Sequence, residues 1–257
     1  MSINNVEKFL GKIHAGGVCF GMVITLSDPT VSEVAGDIGF DFTWIDAEHA
    51  PHTIDGIKQH IMAVRGTDCA PLVRVPWNEH GIIKPILDLA PAGVIIPMVN
   101  TADAARAAVA ACKYPPRGNR GCGVRRGNRY GMMPWAEYVA RADREPLVIL
   151  QIEHVEAVKN LDAILQVEGI DSICIGPTDL SGAMGKLNQH DDPEVVAVID
   201  DVAARVRKAG IILGTAAGPS RRWRDRGIQW IAMSGDCGAI AGGGRSALKS
   251  SREIFAQ

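Results

Sequence analysis

The stretch Leu147-Val-Ile-Leu-Gln-Ile-Glu153 decides how the chain is read. A strand with one wet face alternates polar and apolar residues. LVIL does not, so it reads as a strand covered on both faces, as in a parallel sheet wrapped by helices. The strand is expected over Leu147–Ile152, and seven further apolar runs are of strand length: Val18–Thr25, Phe42–Asp46, Pro71–Val75, Gly93–Met98, Ser172–Ile175, Ile211–Thr215 and Gln229–Met233. Amphipathic segments lie between them. The clearest is Glu194 to Ala209, with Val195, Ile199, Val202 and Val206 on one stripe; Asp192 suits its cap, Pro193 its first turn and Gly210 its end.

Eight such repeats in 257 residues match the count of a (β/α)8 barrel, expected as one domain over residues 1–257. A doubly wound sheet fits less well, because no G-x-G-x-x-G turn follows the first run and Gly121, Gly123 and Gly127 have the wrong spacing. The connection from Asn100 to Glu145 is long and carries PPRGNRGCGVRRGNRYG (Pro115–Gly131). Connections of that length often cover a site.

Lys and Arg number 27 against 29 Asp and Glu, a net charge of −2, which gives no electrostatic footprint for nucleic acid. No apolar run reaches membrane-spanning length, so no membrane partner is expected. The run Val18–Leu26 ends in Ser27-Asp28-Pro29, helix-start chemistry rather than a cleavage site, and a cytoplasmic location is expected. Six scattered cysteines show no zinc spacing and read as small hydrophobes.

In a barrel, chemistry gathers at the carboxyl ends of the strands. Those ends here carry Asp46-Ala47-Glu48-His49, Arg74, Gln151-Ile152-Glu153 and Gly176-Pro177-Thr178-Asp179. Gln151 and Glu153 share a strand face, and Glu153 and Asp179 come from neighbouring strands. Two readings of that carboxylate pair stand: a site for a hard divalent cation, Mg²⁺ or Mn²⁺, or caps and ion pairs of the loops. His49 reads as a base, a ligand or a core histidine, with His52 as a conceivable second ligand. Arg74, inside an apolar run, needs an anion. It either pairs structurally with Asp46 or Asp88, or aims a planar donor at a substrate oxyanion. Arg125 and Arg126 read as a solvated face or a subunit salt bridge ahead of a substrate contact.

WIDAEHAP (Trp44–Pro51), PLVRVP (Pro71–Pro76), YPPRGNRG (Tyr114–Gly121), LQIE (Leu150–Glu153) and IGPTDLS (Ile175–Ser181), in this order and spacing, closely resemble the HpcH/HpaI family of class II pyruvate aldolases. The resemblance covers nearly the whole chain. It implies a (β/α)8 barrel whose last helix is exchanged with a neighbour, in a homo-oligomer, commonly a hexamer built from dimers. It implies a divalent cation (Mg²⁺, Mn²⁺ or Co²⁺) held by Glu153 and Asp179. It implies His49 as general base with Asp88 raising its basicity, Arg74 at the oxyanion, Gln151 as a substrate contact, and Thr178 and Asp179 where backbone N–H groups meet the oxoacid carboxylate.

The implied activity is a carbon–carbon lyase joining or releasing pyruvate and an aldehyde through a pyruvate enolate. Oxaloacetate decarboxylation, another enolate-forming synthase, or a catalytically silent oxoacid-binding protein are the alternatives. No lysine stands among the strand-end positions, which argues against Schiff-base chemistry. Two local features strain the match: Pro85, expected to kink the helix before Asp88, and Gly242-Gly243-Gly244, which lower helix propensity near the exchanged helix. Val23 stands where some relatives carry a tryptophan, leaving the acceptor open.

Overall fold

In a computed structural model describing residues 3–256, the eight apolar runs close into one parallel barrel in chain order. The strands are β1 (Cys19–Ile24), β2 (Phe42–Asp46), β3 (Ala70–Arg74), β4 (Gly93–Ile96), β5 (Leu147–Ile152), β6 (Ser172–Ile175), β7 (Ile212–Ala216) and β8 (Trp230–Gly235). The helices are α1 (Val6–His14), α2 (Thr30–Ile38), α3 (Ile54–Ala63), α4 (His80–Leu87), α5 (Ala102–Cys112), α6 (Trp135–Ala142), α7 (Val155–Lys159), α8 (Leu161–Leu165), α9 (Pro177–Ala183), α10 (Pro193–Lys208), α11 (Arg221–Asp225) and α12 (Asp236–Phe255).

The pleat divides each strand between two cores. Phe42, Trp44, Leu72, Ile95, Ile149, Cys174 and Trp230 fill the barrel, closed below by Val6, Phe9 and Ile13 of α1. Ile45, Val73, Val94, Val148, Leu150 and Ile173 face outward under the helices. That two-sided burial is why the runs lack alternation. Interior aromatics need room. Phe42 and Trp230 meet edge-to-face at 5.5 Å, and a Cβ at Gly214 would collide with the Trp230 ring. The inward phase continues past these residues, so Asp46 stands above Trp44, Arg74 above Leu72 and Gln151 above Ile149. The polar rim is the top layer of the barrel filling.

α10 forms as its pattern requires: Val195, Ile199, Val202 and Val206 are buried, and Asp192 caps its first turn by accepting from Glu194 N at 2.9 Å. α4 runs through Pro85 to Leu87. The donor that proline lacks would have served the carbonyl of exposed Gly81, where water can replace it. α12 is continuous over 20 residues, and side chains at Gly242, Gly243 and Gly244 would meet nothing within 4 Å. Only Asp236 of this helix is buried. Its carboxylate accepts from Thr25 N, Thr25 Oγ1, Leu26 N and Cys237 N at 2.7–2.8 Å. Ile240, Leu248, Ile254 and Phe255 project into solvent.

The long Arg-rich connection corrects one expectation. It lies at the amino ends of the strands, away from the polar rim: Arg126 donates to the carbonyls of Ile3, Leu89 and Ala90, and Arg120 to that of Leu87. Arg126 is buried, so it is a brace under the barrel rather than a solvated face. All six cysteines are free; Cys19, Cys69, Cys112 and Cys174 are buried. No helix among the described residues is long and apolar enough to cross a membrane.

Candidate active site

Sheet register builds the centre of the rim. Asp46 and Arg74 are Cα partners across β2 and β3. Arg74 Nε donates to Asp46 Oδ1 at 3.0 Å and Nη2 to Oδ2 at 2.6 Å, a two-pronged pair in which both side chains are almost wholly buried. The guanidinium also lies over the Trp44 ring at 5.1 Å. Its Nη1 approaches Glu48 Oε2 to 2.9 Å, an ion pair out of line for a hydrogen bond. The structural pairing of Arg74 with Asp46 is thus present, and it also orients the free N–H edges of the guanidinium.

Asp46 shapes the turn after β2 as well, its Oδ1 accepting from Glu48 N at 3.1 Å and His49 N at 3.2 Å. Burial acts to raise the Asp46 pKa, but the Arg74 hydrogen bonds and charge outweigh it and the carboxyl stays below its ordinary value. Glu48 goes the other way: burial raises its pKa more than Arg74 lowers it. The His49 side chain is 62% exposed at the mouth, with Nε2 3.7 Å from Glu48 Oε2. His52 turns away from it, Nε2 lying 3.1 Å from Ile24 O and the ring packing edge-on against His60. The two-histidine arrangement is therefore not formed.

Across the mouth, Glu153 is 2% exposed, just past β5. Its Oε1 accepts from Met98 N at 2.8 Å, and its Oε2 from Gln151 Nε2. Gly176 makes this possible, because a Cβ there would meet Glu153 Oε2 at 2.8 Å and Gln151 Nε2 at 3.0 Å. Burial, with the charges of Glu48 and Asp179 adding to it, pushes the Glu153 pKa up to about 7. Asp179 and Thr178 are exposed in the first turn of α9, and Thr178 Oγ1 lies 3.2 Å from His190 Nε2.

This donor set fits a divalent cation. Asp46, Glu48 and Glu153 bring three carboxylates around one guanidinium, the charge of Asp179 acts on Glu48 and Glu153, and Gln151 Oε1 is buried without a partner. Hard oxygen donors and uncompensated negative charge suit Mg²⁺ or Mn²⁺. Among the described residues, no three His, Cys, Asp or Glu side chains form a ligating group, so the protein would offer Glu153 and Asp179 and leave the other positions to water and substrate.

Asp88 does not join the cluster. It follows α4, which descends from the rim, and lies 3.7 Å from Arg120 beside Gly123 at the amino-end face. Sequence reasoning did not single out Met98 or Gly176, and it gave Glu48 no role of its own. Glu48 and Gly176 carried a signal, their places in the strand-end set; Met98 carried none.

The comparisons with known proteins agree with this architecture. The model of the HpcH/HpaI aldolase/citrate lyase family matches residues 20–240. A hydroxypyruvate/pyruvate aldolase of Roseobacter denitrificans is 35% identical over 244 residues, 94% of this chain and 95% of that protein. A 5-keto-4-deoxy-D-glucarate aldolase of Klebsiella pneumoniae is 36% identical over 253 residues, 97% and 96% of the two chains. The crystal structure of an HpcH/HpaI aldolase/citrate lyase family protein from Burkholderia cenocepacia superposes with a TM-score of 0.89 at 28% identity, covering 96% of this chain and 99% of that one. With the barrel, the rim and these matches in place, the chain belongs to the HpcH/HpaI aldolase/citrate lyase family.

Proposed function

We propose that this protein is a class II aldolase, a carbon–carbon lyase that cleaves or forms 4-hydroxy-2-oxoacids from pyruvate and an aldehyde. One observation carries the reading: at the rim the Arg74 guanidinium, fixed on Asp46 and beside Glu48, stands near buried Glu153, whose carboxylate accepts from Met98 N and Gln151 Nε2. The relatives named as pyruvate and keto-deoxy-glucarate aldolases support the substrate class.

In the cleavage direction His49, exposed at the mouth, takes the proton of the 4-hydroxyl. The C3–C4 bond breaks, the aldehyde leaves, and the bonding pair becomes the enolate of pyruvate. Returning one proton to C3 completes pyruvate and restores the base. Arg74, fixed by Asp46, presents its uncommitted N–H groups to the growing negative charge without reorganising. Gln151 orients the oxoacid, and the backbone of Thr178 and Asp179 at the start of α9 receives its carboxylate. A divalent cation (Mg²⁺, Mn²⁺ or Co²⁺) held by Glu153 and Asp179 would supply Lewis-acid stabilisation of the enolate charge.

The proposal includes a homo-oligomer, a hexamer built as a trimer of dimers, in which α12 packs on a neighbouring copy. The exposed apolar residues of α12 and its single buried residue support it. Asp88 lies at the opposite end of its own barrel from His49, so it can raise the basicity of a histidine only on another copy.

The test is exchange of pyruvate methyl protons in D₂O, followed by NMR, with chelator-treated protein given Mg²⁺, Mn²⁺ or Co²⁺. Metal-restored exchange is expected. Exchange that persists without metal, or that fails with every metal, would overturn the mechanism.

A further inference from the structure

β4 stops at Ile96, and the chain turns over Pro97 and Met98. Met98 has φ +54°, in the left-handed region. An L residue is disfavoured there, because its Cβ crowds the carbonyl oxygen, and methionine has no local hydrogen bond to compensate. Strain of this kind persists where the surroundings over-determine it. Here they do: Val99 is fully buried in the outer core, and Asn160 Nδ2 donates to Asn100 O at 2.9 Å. The chain is pinned just beyond the strained residue.

The strained turn delivers one group to the site. Met98 N donates to Glu153 Oε1 at 2.8 Å while Gln151 donates to Oε2, so the plane of the carboxylate is set from both sides. Each oxygen accepts through more than one lone pair, so each retains capacity toward a cation.

We infer that Met98 is a positioning residue, whose left-handed turn holds its backbone N–H on Glu153 and presets that carboxylate to receive the divalent cation. The inference rests on the metal-binding reading of Glu153. It concerns the backbone, so two substitutions separate it from a side-chain effect. Met98→Gly tolerates positive φ and keeps the N–H in place. Met98→Val keeps an N–H, but a β-branched residue is a true outlier at this φ.

The experiment is Mn²⁺ binding to chelator-treated protein, read from the EPR signal of free Mn²⁺, with thermal unfolding of the same preparations as the fold control. Met98→Val is expected to raise the Mn²⁺ Kd at least tenfold, and Met98→Gly to return it to within about twofold of wild type. Wild-type affinity in Met98→Val would overturn the inference, as would equal loss in Met98→Gly. Should Met98→Val not fold, Asn160→Ala, which removes the donor to Asn100, takes its place. It is expected to weaken Mn²⁺ severalfold, and unchanged binding would count against the inference in the same way. No Mn²⁺ binding to wild type would sink the metal reading itself, and this inference with it.

Discussion

Arg74→Lys tests the centre of the rim most directly. Arg74 holds Asp46 through two charge-assisted hydrogen bonds, of 3.0 and 2.6 Å, and stands 2.9 Å from Glu48. A lysine keeps the charge, but one ammonium cannot reproduce the planar fork. It replaces one bond to Asp46 and abandons the other, together with the contact to Glu48. A hydrogen bond to a charged group contributes about 1.5–3 kcal/mol net, and a half-paired carboxylate that is 3% exposed cannot turn to water instead. The expected loss is about 3 kcal/mol. In a chain this long that corresponds to a fall in Tm of roughly 6–12 °C. Asp46 also fixes the backbone of Glu48 and His49, so the pyruvate exchange rate should drop with stability. Urea unfolding followed by tryptophan fluorescence, at one fixed protein concentration, measures the first quantity, and methyl exchange by NMR the second. A variant within about 1 kcal/mol of wild type that exchanges at the wild-type rate would refute the reasoning.

Three further outcomes are expected. In chelator-treated protein, Glu153 has a folded pKa near 7 against 4.5 in the unfolded chain. Its contribution is fully present below pH 4.5 and is lost as pH rises through 7, a swing of up to about 3 kcal/mol. Unfolding free energies of wild type and Glu153→Gln compared from pH 4.5 to 8 should show that swing in wild type alone, and parallel curves would contradict it. Gly176→Ala places a methyl 2.8 Å from Glu153 Oε2, and calorimetric Mn²⁺ titration should show affinity weakened tenfold or more, even in a variant that remains folded. His49→Ala should leave Mn²⁺ affinity within about twofold while slowing retro-aldol turnover at least a hundredfold, read as pyruvate released from a 4-hydroxy-2-oxoacid.

Much of the barrel was legible because two-sided burial writes itself as uninterrupted apolar runs. β2, β5 and β6 match the expected spans residue for residue. β4 was expected to reach Met98 but ends at Ile96, because Pro97 lacks a ladder donor and Met98 turns left-handed. The positions of His49, Arg74, Glu153 and Asp179 followed from reading strand ends, since barrel geometry puts those ends on one rim. Other features were not written locally. The Arg-rich connection looked like a site cover, but its direction depends on α5 having already carried the chain to the amino ends of the strands. Asp88 was separated from His49 by the same descent along α4. Met98 left no trace, because nothing in the sequence around a methionine marks positive φ.

The four hydrogen bonds converging on Asp236 make the base of α12 and the turn after β1 one mechanical unit. In the proposed oligomer, a neighbour that grips α12 would therefore also steady Thr25 and Leu26, which follow β1 at the carboxyl end of the barrel. Dilution would act in reverse: amide hydrogens of Thr25 and Leu26, whose bonds end on that carboxylate, should exchange with solvent before those of the strands. In the proposed oligomer, the last helix, which starts at the rim, would thereby be the lever through which assembly sets the rigidity of the opening.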